Sequence, residues 1–128
     1  MRLFGNAVEQ LSRGLSLASM RHGVLAQNIA NVDTPGYRAR DLVFDDTLKA
    51  LAAPSGGQLS PQGPGAVVAG RTARVVATTD ATARPDGNTV HLDHQMARIA
   101  ENTLYQHTLV QLLAGQFNAL KQAISGRV

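Results

Sequence analysis

Two stretches with a heptad-like spacing of apolar residues constrain the fold more than any other feature of the chain. The intervals alternate between four and three through Phe4, Val8, Leu11, Leu15, Ala18, His22, Leu25, Ile29 and Val32. The same alternation returns near the C-terminus, through Met96, Ile99, Thr103, Gln106, Val110, Leu113, Phe117, Leu120 and Ile124. Because these intervals place side chains on one face of an α-helix, the pattern predicts two long amphipathic helices.

The first stripe stops at the stretch Asn28–Tyr37, whose sequence is NIANVDTPGY. Proline presets φ at the second position of Thr34–Tyr37, and glycine supplies the positive φ of the third, so the segment predicts a type II turn. Asn31 tolerates the left-handed conformation that commonly ends a helix. We therefore expect a helix from about Phe4 to Asn31, followed by a tight turn.

The region between the two stripes is rich in glycine and proline and has no sustained periodicity. Residues 47–53 predict a short helix capped by two preceding aspartates. Residues 55–65 are turn-forming and are expected to be flexible on their own. Two β-prone runs, 66–69 and 73–79, predict a short hairpin.

A second turn signal, Asp86-Gly87-Asn88, marks the point where regular structure is expected to resume. Val90 follows in an extended pattern, and Asp93 is the predicted N-cap of the second helix. Gly126 is the predicted C-terminal stop of that helix.

These signals divide the chain into three parts: residues 1–37 (N-terminal helix and turn), residues 38–87 (loose middle segment) and residues 88–128 (C-terminal helix). The predicted fold is mainly α, with two long terminal helices forming a coiled-coil-like hairpin and one assembly domain built from both termini. Two helices leave part of each wide stripe uncovered, so copies of the chain or related chains are expected to cover the remainder. The simpler alternative is an ordinary two-helix core stabilised by the middle segment.

Charge, cysteine usage and hydropathy exclude several classes of function. Twelve Lys and Arg residues against nine Asp and Glu give a net charge of +3, and the arginines are too scattered to form a nucleic-acid or membrane footprint. Cysteine is absent, which excludes disulfides and thiolate chemistry. No apolar run approaches the roughly 20 residues that span a bilayer, and polar residues interrupt the region where a signal peptide would be apolar.

The sequence offers no catalytic arrangement, and no cofactor is expected. His91 and His94 lie one helical turn apart only if the helix has begun by His91, and no other ligand-type residues cluster with them. Two exposed histidines are therefore preferred over a metal site. His22 lies on a stripe and His107 beside one, so each is expected to be a packed or interfacial histidine and not a base. Phosphate-binding loops and nucleophile motifs do not occur.

The turn stretch resembles the N-terminal signature of flagellar axial proteins of the rod, hook and hook-filament family, which place Ala-Asn-x-x-Thr-Pro-Gly-Tyr after a long helix. The matching positions are Asn28, Ala30, Asn31, Thr34, Pro35, Gly36 and Tyr37. The C-terminal part looks like that of proximal rod proteins of the basal body, at Asp86, Gly87, Asn88, Thr89, Val90, Leu92, Asp93, Met96, Ala100, Glu101, Asn102, Tyr105 and Phe117. Gln95 departs from this resemblance, because glutamate usually precedes the methionine there.

The resemblance implies a structural, non-enzymatic subunit of the proximal rod, which would form part of the drive shaft in the periplasm. It implies export through the flagellar type III apparatus without a cleaved signal peptide. The implied partners are further copies of the chain, other rod proteins, the rod–export-gate junction protein and the MS-ring protein. Helices that are marginal in isolation suit export of an unfolded chain, with order gained from neighbours during assembly.

Specific roles follow from the same resemblance and from the two stripes. Asn28 and Asn31 are expected to cap backbone groups or to bond between subunits, and Tyr37 to pack the segment after the turn. The expected helix-seam residues are Val8, Leu11, Leu15, Leu25, Ile29, Met96, Ile99, Val110, Leu113, Phe117, Leu120 and Ile124.

Two other classes of function stay open on the sequence alone. A cytosolic coiled-coil adaptor or export chaperone would bind one partner helix and form a discrete, stable dimer. A small basic nucleic-acid binder would show an affinity that falls steeply with salt, and the scattered arginines argue against it.

Overall fold

Two long helices dominate the structure. The computed structural model describes residues 2–42, 65–68, 71–78 and 82–126. Helix α1 spans Arg2–Ala30 and helix α2 spans Leu92–Ser125. Three short strands lie between them in the chain: β1, Arg40–Leu42; β2, Gly65–Val68; and β3, Arg71–Ala77. The predicted mainly α fold with long terminal helices is confirmed.

The strands form one small antiparallel sheet in the order β1–β3–β2. Strands β2 and β3 pair from Gly65 with Arg74 to Val68 with Arg71, which confirms the predicted hairpin. Strand β1 pairs with the other edge of β3, placing Asp41 opposite Val76. The predicted helix over 47–53 and nearly all of the turn-rich segment 55–65 lie outside the described residues.

The two helices pack antiparallel as a hairpin. Near one end the side chains of Asn28 and Gln95 are hydrogen-bonded, and further along Asn102 contacts the backbone of Ala18. At the other end, the rings of Phe4 and Phe117 meet edge to face with centroids 6.4 Å apart. At 1.5 Å per residue, the 34 residues of α2 extend about 50 Å.

The ends of α2 match the sequence prediction at one terminus only. Gly126 adopts the left-handed conformation, with φ 64°, and ends the helix as predicted. The prediction of Asp93 as N-cap is wrong, because the helix already begins at Leu92. His91 holds the N-cap position without a capping side-chain hydrogen bond, and Asp93 lies in the first turn. A carboxylate in that turn still faces the positive end of the helix dipole.

On α1, the contact between the helices follows only half of the predicted stripe. Leu25, a stripe residue, is fully buried. However, Gly14 and Asn28 are buried in place of the adjacent stripe residues Leu15 and Ile29, which are half-buried. Leu17, which precedes the buried stripe residue Ala18, is also fully buried, so the buried face of α1 is rotated by about one position relative to the predicted stripe.

On α2 the same shift occurs. The buried residues Gln95, Asn102 and Leu109 are spaced by seven, and each directly precedes a residue of the predicted stripe. Four predicted seam residues of α2 are exposed, by 56%, 48%, 52% and 76%: Met96, Val110, Phe117 and Ile124. We call these four residues the apolar stripe. The other predicted seam residues, apart from buried Leu25, are half-buried: Val8, Leu11, Leu15, Ile29, Ile99, Leu113 and Leu120.

Candidate functional site

The two turn signals of the sequence meet in space and form one structure, the turn junction, which comprises residues Asn28–Tyr37 and Arg84–Val90. Its segments are joined by backbone hydrogen bonds, since the amide of Gly36 donates to the carbonyl of Asp86 at 3.0 Å. The amide of Thr89 donates to the carbonyl of Tyr37, also at 3.0 Å. Regions 50 residues apart in sequence are thereby held together.

Two glycines with positive φ allow this approach. Gly36 has φ 71° and lies at the third position of the predicted turn, which the Tyr37 amide closes on the Thr34 carbonyl at 3.3 Å. Gly87 has φ 81°, and a Cβ added there would lie 3.5 Å from the Cα of Gly36. Positive φ is costly for residues with a side chain, so both turns require glycine. Ala30 and Pro35, also on the predicted motif, are exposed.

Asn88 holds the turn at the C-terminal end of α1 from a distant part of the chain. Its buried Nδ2 lies within 3.0 Å of three carbonyl oxygens, those of Asn31, Val32 and Thr34. Its Oδ1 accepts from the Val90 amide at 2.7 Å. These three carbonyls belong to the turn that follows α1, and one asparagine side chain binds them all.

Arg84 acts at the same helix end. Its Nη2 donates to the carbonyls of Val32, at 2.6 Å, and of Val90, at 3.0 Å. A positive charge beside the C-terminal carbonyls is also favourable with respect to the helix dipole. The Nε of Arg84 is buried without a hydrogen-bond partner in the described part of the chain.

Asn28 links the helix pair to the first strand. Its Oδ1 accepts from the Arg40 amide at 3.0 Å, and its Nδ2 donates to the Arg40 carbonyl at 2.6 Å. Nδ2 also donates to Oε1 of Gln95 at 2.8 Å, and the Tyr37 hydroxyl is 3.4 Å from Oδ1. All four hydrogen-bonding positions of this buried amide are occupied. Its burial therefore leaves no polar atom of the side chain without a hydrogen-bond partner.

Local hydrogen bonds shape the end of α1. The Nδ2 of Asn31 donates to the Gln27 carbonyl at 2.8 Å, and the Thr34 hydroxyl donates to Oδ1 of Asn31 at 3.1 Å. Asn31 thus bonds within its own turn. Asn31 therefore lies at the end of α1, where the sequence predicts that it caps backbone groups.

A cluster of charges surrounds Asp41 of β1. Arg21 of α1 contacts the carboxylate with Nε at 2.9 Å and Nη2 at 3.0 Å, and Arg98 of α2 approaches it with Nη1 at 3.3 Å. The hydrogen bond from Arg21 to Asp41 raises the pKa of Arg21 above its ordinary value, and the charge of Glu101 acts in the same direction. The guanidinium therefore stays charged in this half-buried cluster.

Further along the helix pair, α1 packs closely against α2 at Gly14. A Cβ at Gly14 would lie 3.4 Å from the Leu109 side chain and 3.8 Å from the Tyr105 hydroxyl. Burial raises the pKa of Tyr105 above its ordinary value. Nearby, Nδ2 of the buried Asn102 donates to the Ala18 carbonyl at 2.8 Å. We call Asn28, Gln95 and Asn102 the polar seam.

Sequence reasoning located the turn residues and missed their partners. Asn28, Asn88 and Val90 were predicted and lie at or beside the turn junction, whereas Arg84 and Gln95 were not proposed as site residues. The same is true of Arg21, Asp41, Arg98 and Asn102. One signal was present in the sequence. Gln95, Asn102 and Leu109 are spaced by seven residues, but a search for apolar periodicity does not detect the two polar members.

The described residues offer little for chemistry. Among them, no group of three or more His, Cys, Asp or Glu side chains is placed to hold a metal ion. The rings of His91 and His94 have centroids 5.8 Å apart, and Nε2 of His91 lies 3.0 Å from the Thr82 carbonyl. No helix in the described segments combines the length and hydrophobicity needed to cross a membrane.

Comparison with known proteins agrees with these features. The family model described as "Flagella basal body rod protein" matches residues 10–38, which contain most of α1 and the Pro-Gly turn. The flagellar basal body rod protein FlgB of Bacillus subtilis is 29% identical, over 98% of each chain. FlgB of Escherichia coli K12 is 33% identical over 86% of each chain, and that of Cereibacter sphaeroides is 35% identical over 90% of this chain and 91% of its own.

Proposed function

Since the chain belongs to the FlgB family of flagellar basal body rod proteins, we propose that it joins the rod by packing its helix pair against neighbouring subunits through the apolar stripe. The chain is a structural rod subunit and not an enzyme. The alternative of a cytosolic adaptor or export chaperone is not supported.

One observation carries the proposal: the helix pair buries polar residues internally and leaves large apolar residues exposed. Gln95 and Asn102 are buried against α1, while Val110 and Phe117, on the adjacent face of α2, are about half exposed. In addition, residues 102–120 contain no Asp, Glu, Lys or Arg. Exposed apolar stripes without charges are typical of interaction surfaces.

The partners and site of assembly follow from family membership as proposals. The chain associates with other rod proteins and with further copies of itself. In the proximal rod it contacts the junction protein at the export gate and the MS ring, on the periplasmic side of the inner membrane. One assembly domain, built from residues 1–37 and 88–128, makes these contacts, and the segment between them lies further out.

We also propose export through the flagellar type III apparatus without cleavage of a signal peptide. The contact between Phe4 and Phe117 supports this, because removal of the first residues would take away part of the packed hairpin. Glu9 and Arg13, an ion pair one turn apart on α1, interrupt the apolar run that a signal peptide needs.

Fractionation tests the class of function. A tagged chain is expected to sediment with detergent-extracted basal bodies, and a deletion strain is expected to lack rods. Recovery solely in the soluble fraction, with intact rods in the deletion strain, would exclude a rod function.

A matched pair of variants tests the surface. Val110→Glu places a charge in the apolar stripe and should abolish recovery with basal bodies, because burying an unpaired carboxylate is costly. Ser16→Glu adds the same charge on the exposed polar face of α1 and should leave recovery unchanged. Both purified proteins should keep the helix content of the parent. Equal recovery of the two variants would show that the apolar stripe is not the contact surface.

A further inference from the structure

We propose that Asp41 is a positioning residue that fixes the angle at which the small sheet leaves the helix pair. Three elements converge on its carboxylate. Arg21 reaches it from α1 through two nitrogen atoms, Arg98 reaches it from α2, and Asp41 itself belongs to the edge strand β1. The importance of this angle for assembly rests on the proposed rod function. The contacts of Asp41 do not depend on that function.

The neighbouring attachments hold only the start of β1. Asn28 binds both backbone groups of Arg40, and the Ala39 amide donates to the Thr89 hydroxyl at 2.8 Å. Leu42, at the far end of the strand, is buried, but apolar contacts have little directional preference. A directional contact beyond Arg40 is therefore needed to fix the course of the strand.

The contact between Arg21 and Asp41 supplies that direction. Two parallel hydrogen bonds between a planar guanidinium and a carboxylate restrict both distance and angle, which a single ammonium group does not. The carboxylate is itself oriented, because its Oδ1 also accepts from the amide of Leu42 at 2.7 Å. The side chains of Arg21 and Asp41 are each 18% exposed, which limits screening by solvent.

The orientation of β1 passes to the rest of the sheet through the backbone. Asp41 faces Val76 in the pairing of β1 with β3, and β3 pairs in turn with β2. Arg98, which contacts the carboxylate, also lies 3.5 Å from the hydroxyl of Thr78, directly after β3. A change at Asp41 is therefore expected to alter the orientation of the whole sheet relative to the helices.

Distances between paired spin labels in the purified full chain test this inference. The chain has no cysteine, so two introduced cysteines carry the labels alone. Labels at Ala77, exposed on β3, and Gln111, exposed on α2, report the position of the sheet relative to the helices. Labels at Gln10 and Gln111 report the helix pair itself.

Asp41→Asn should lose the narrow distance distribution of the sheet pair and leave that of the helix pair unchanged. Asp41→Glu keeps the charge on a longer side chain, so its sheet-pair distribution should stay narrow with a displaced centre. The control, Glu9→Gln, removes a carboxylate that pairs with Arg13 within α1, away from the sheet, and it should change neither distribution.

Two results would overturn the inference: an unchanged sheet-pair distribution in Asp41→Asn, or broadening of both label pairs together, which would indicate loss of the hairpin. If Asp41→Asn does not fold, Arg21→Lys takes its place, because it keeps the positive charge and loses the paired hydrogen bonds to Asp41; an unchanged sheet-pair distribution there also refutes the inference. These distances do not depend on rod assembly. Intact rods in a deletion strain would exclude the proposed function, but they would not change the distances expected between the spin labels.

Discussion

Replacement of Asn88 by alanine should strongly destabilise the chain. The Nδ2 group donates two hydrogens to three carbonyls, and Oδ1 accepts from the Val90 amide, so about three hydrogen bonds are lost. At about 1 kcal/mol each this amounts to about 3 kcal/mol, and the orphaned amide of Val90 adds about 1 kcal/mol or more.

The three carbonyls keep other partners, which limits the loss. Asn31 retains the amide of Thr34, Val32 retains Arg84, and Thr34 retains the amide of Tyr37. We therefore expect the free energy of unfolding to fall by about 4 kcal/mol, out of the roughly 5–15 kcal/mol typical of a domain.

Urea unfolding followed by circular dichroism measures this loss. With a dependence of about 2 kcal/mol per molar urea, the midpoint should fall by about 2 M. Asn118→Ala is the matched control, because Asn118 is exposed on α2 and alanine has the higher helix propensity, so its midpoint should be unchanged or slightly raised. If Asn88→Ala shifts the midpoint no more than the control does, Asn88 does not hold the end of α1.

Three further perturbations have defined outcomes. Gly36→Val forces a β-branched residue to φ 71° and should abolish motility with unchanged expression; normal swimming would show that the turn is dispensable. Gly23→Ala should raise the free energy of unfolding by about 1 kcal/mol, because an added Cβ meets nothing within 4 Å, and an unchanged urea midpoint would contradict this. Burial raises the pKa of Tyr105 above 10.0, so this tyrosine stabilises the fold below pH 10 and its contribution is lost as pH rises further. In a Tyr37→Phe variant, ultraviolet titration should show the remaining tyrosine ionising above pH 10, and a midpoint at or below 10 would refute this.

Periodicity and turn chemistry predicted the backbone architecture well. Apolar intervals of three and four gave both helices, since a helix must bury one face, and Pro35 with Gly36 gave the turn, since few other pairs supply its φ angles. The β2–β3 hairpin followed from two runs of β-branched and small residues. Asp93 was misplaced because helix boundaries are decided by tertiary contacts as well as by capping residues.

The face on which the helices meet was not predictable in the same way. Apolar periodicity shows which face of a helix is buried. It does not show whether that face contacts another part of the same chain or a different chain. Here Asn28 and Gln95 take the internal positions because their side chains bond to each other and Asn28 also bonds to β1. Met96 and Val110 stay on the outside. The partners of Asp41 were missed because ion pairs between distant residues leave no local pattern.

The binding of Asn88 and Arg84 to the turn after α1 makes this turn depend on residues synthesised more than 50 positions later. A chain that emerges N-terminus first can form α1 and the local bonds of its turn, such as that from the Tyr37 amide to the Thr34 carbonyl, before residues 84–90 have followed. The bonds from the Gly36 amide to Asp86 and from Asn88 to the turn carbonyls form only afterwards. Only a chain that extends past Val90 can therefore complete the turn junction.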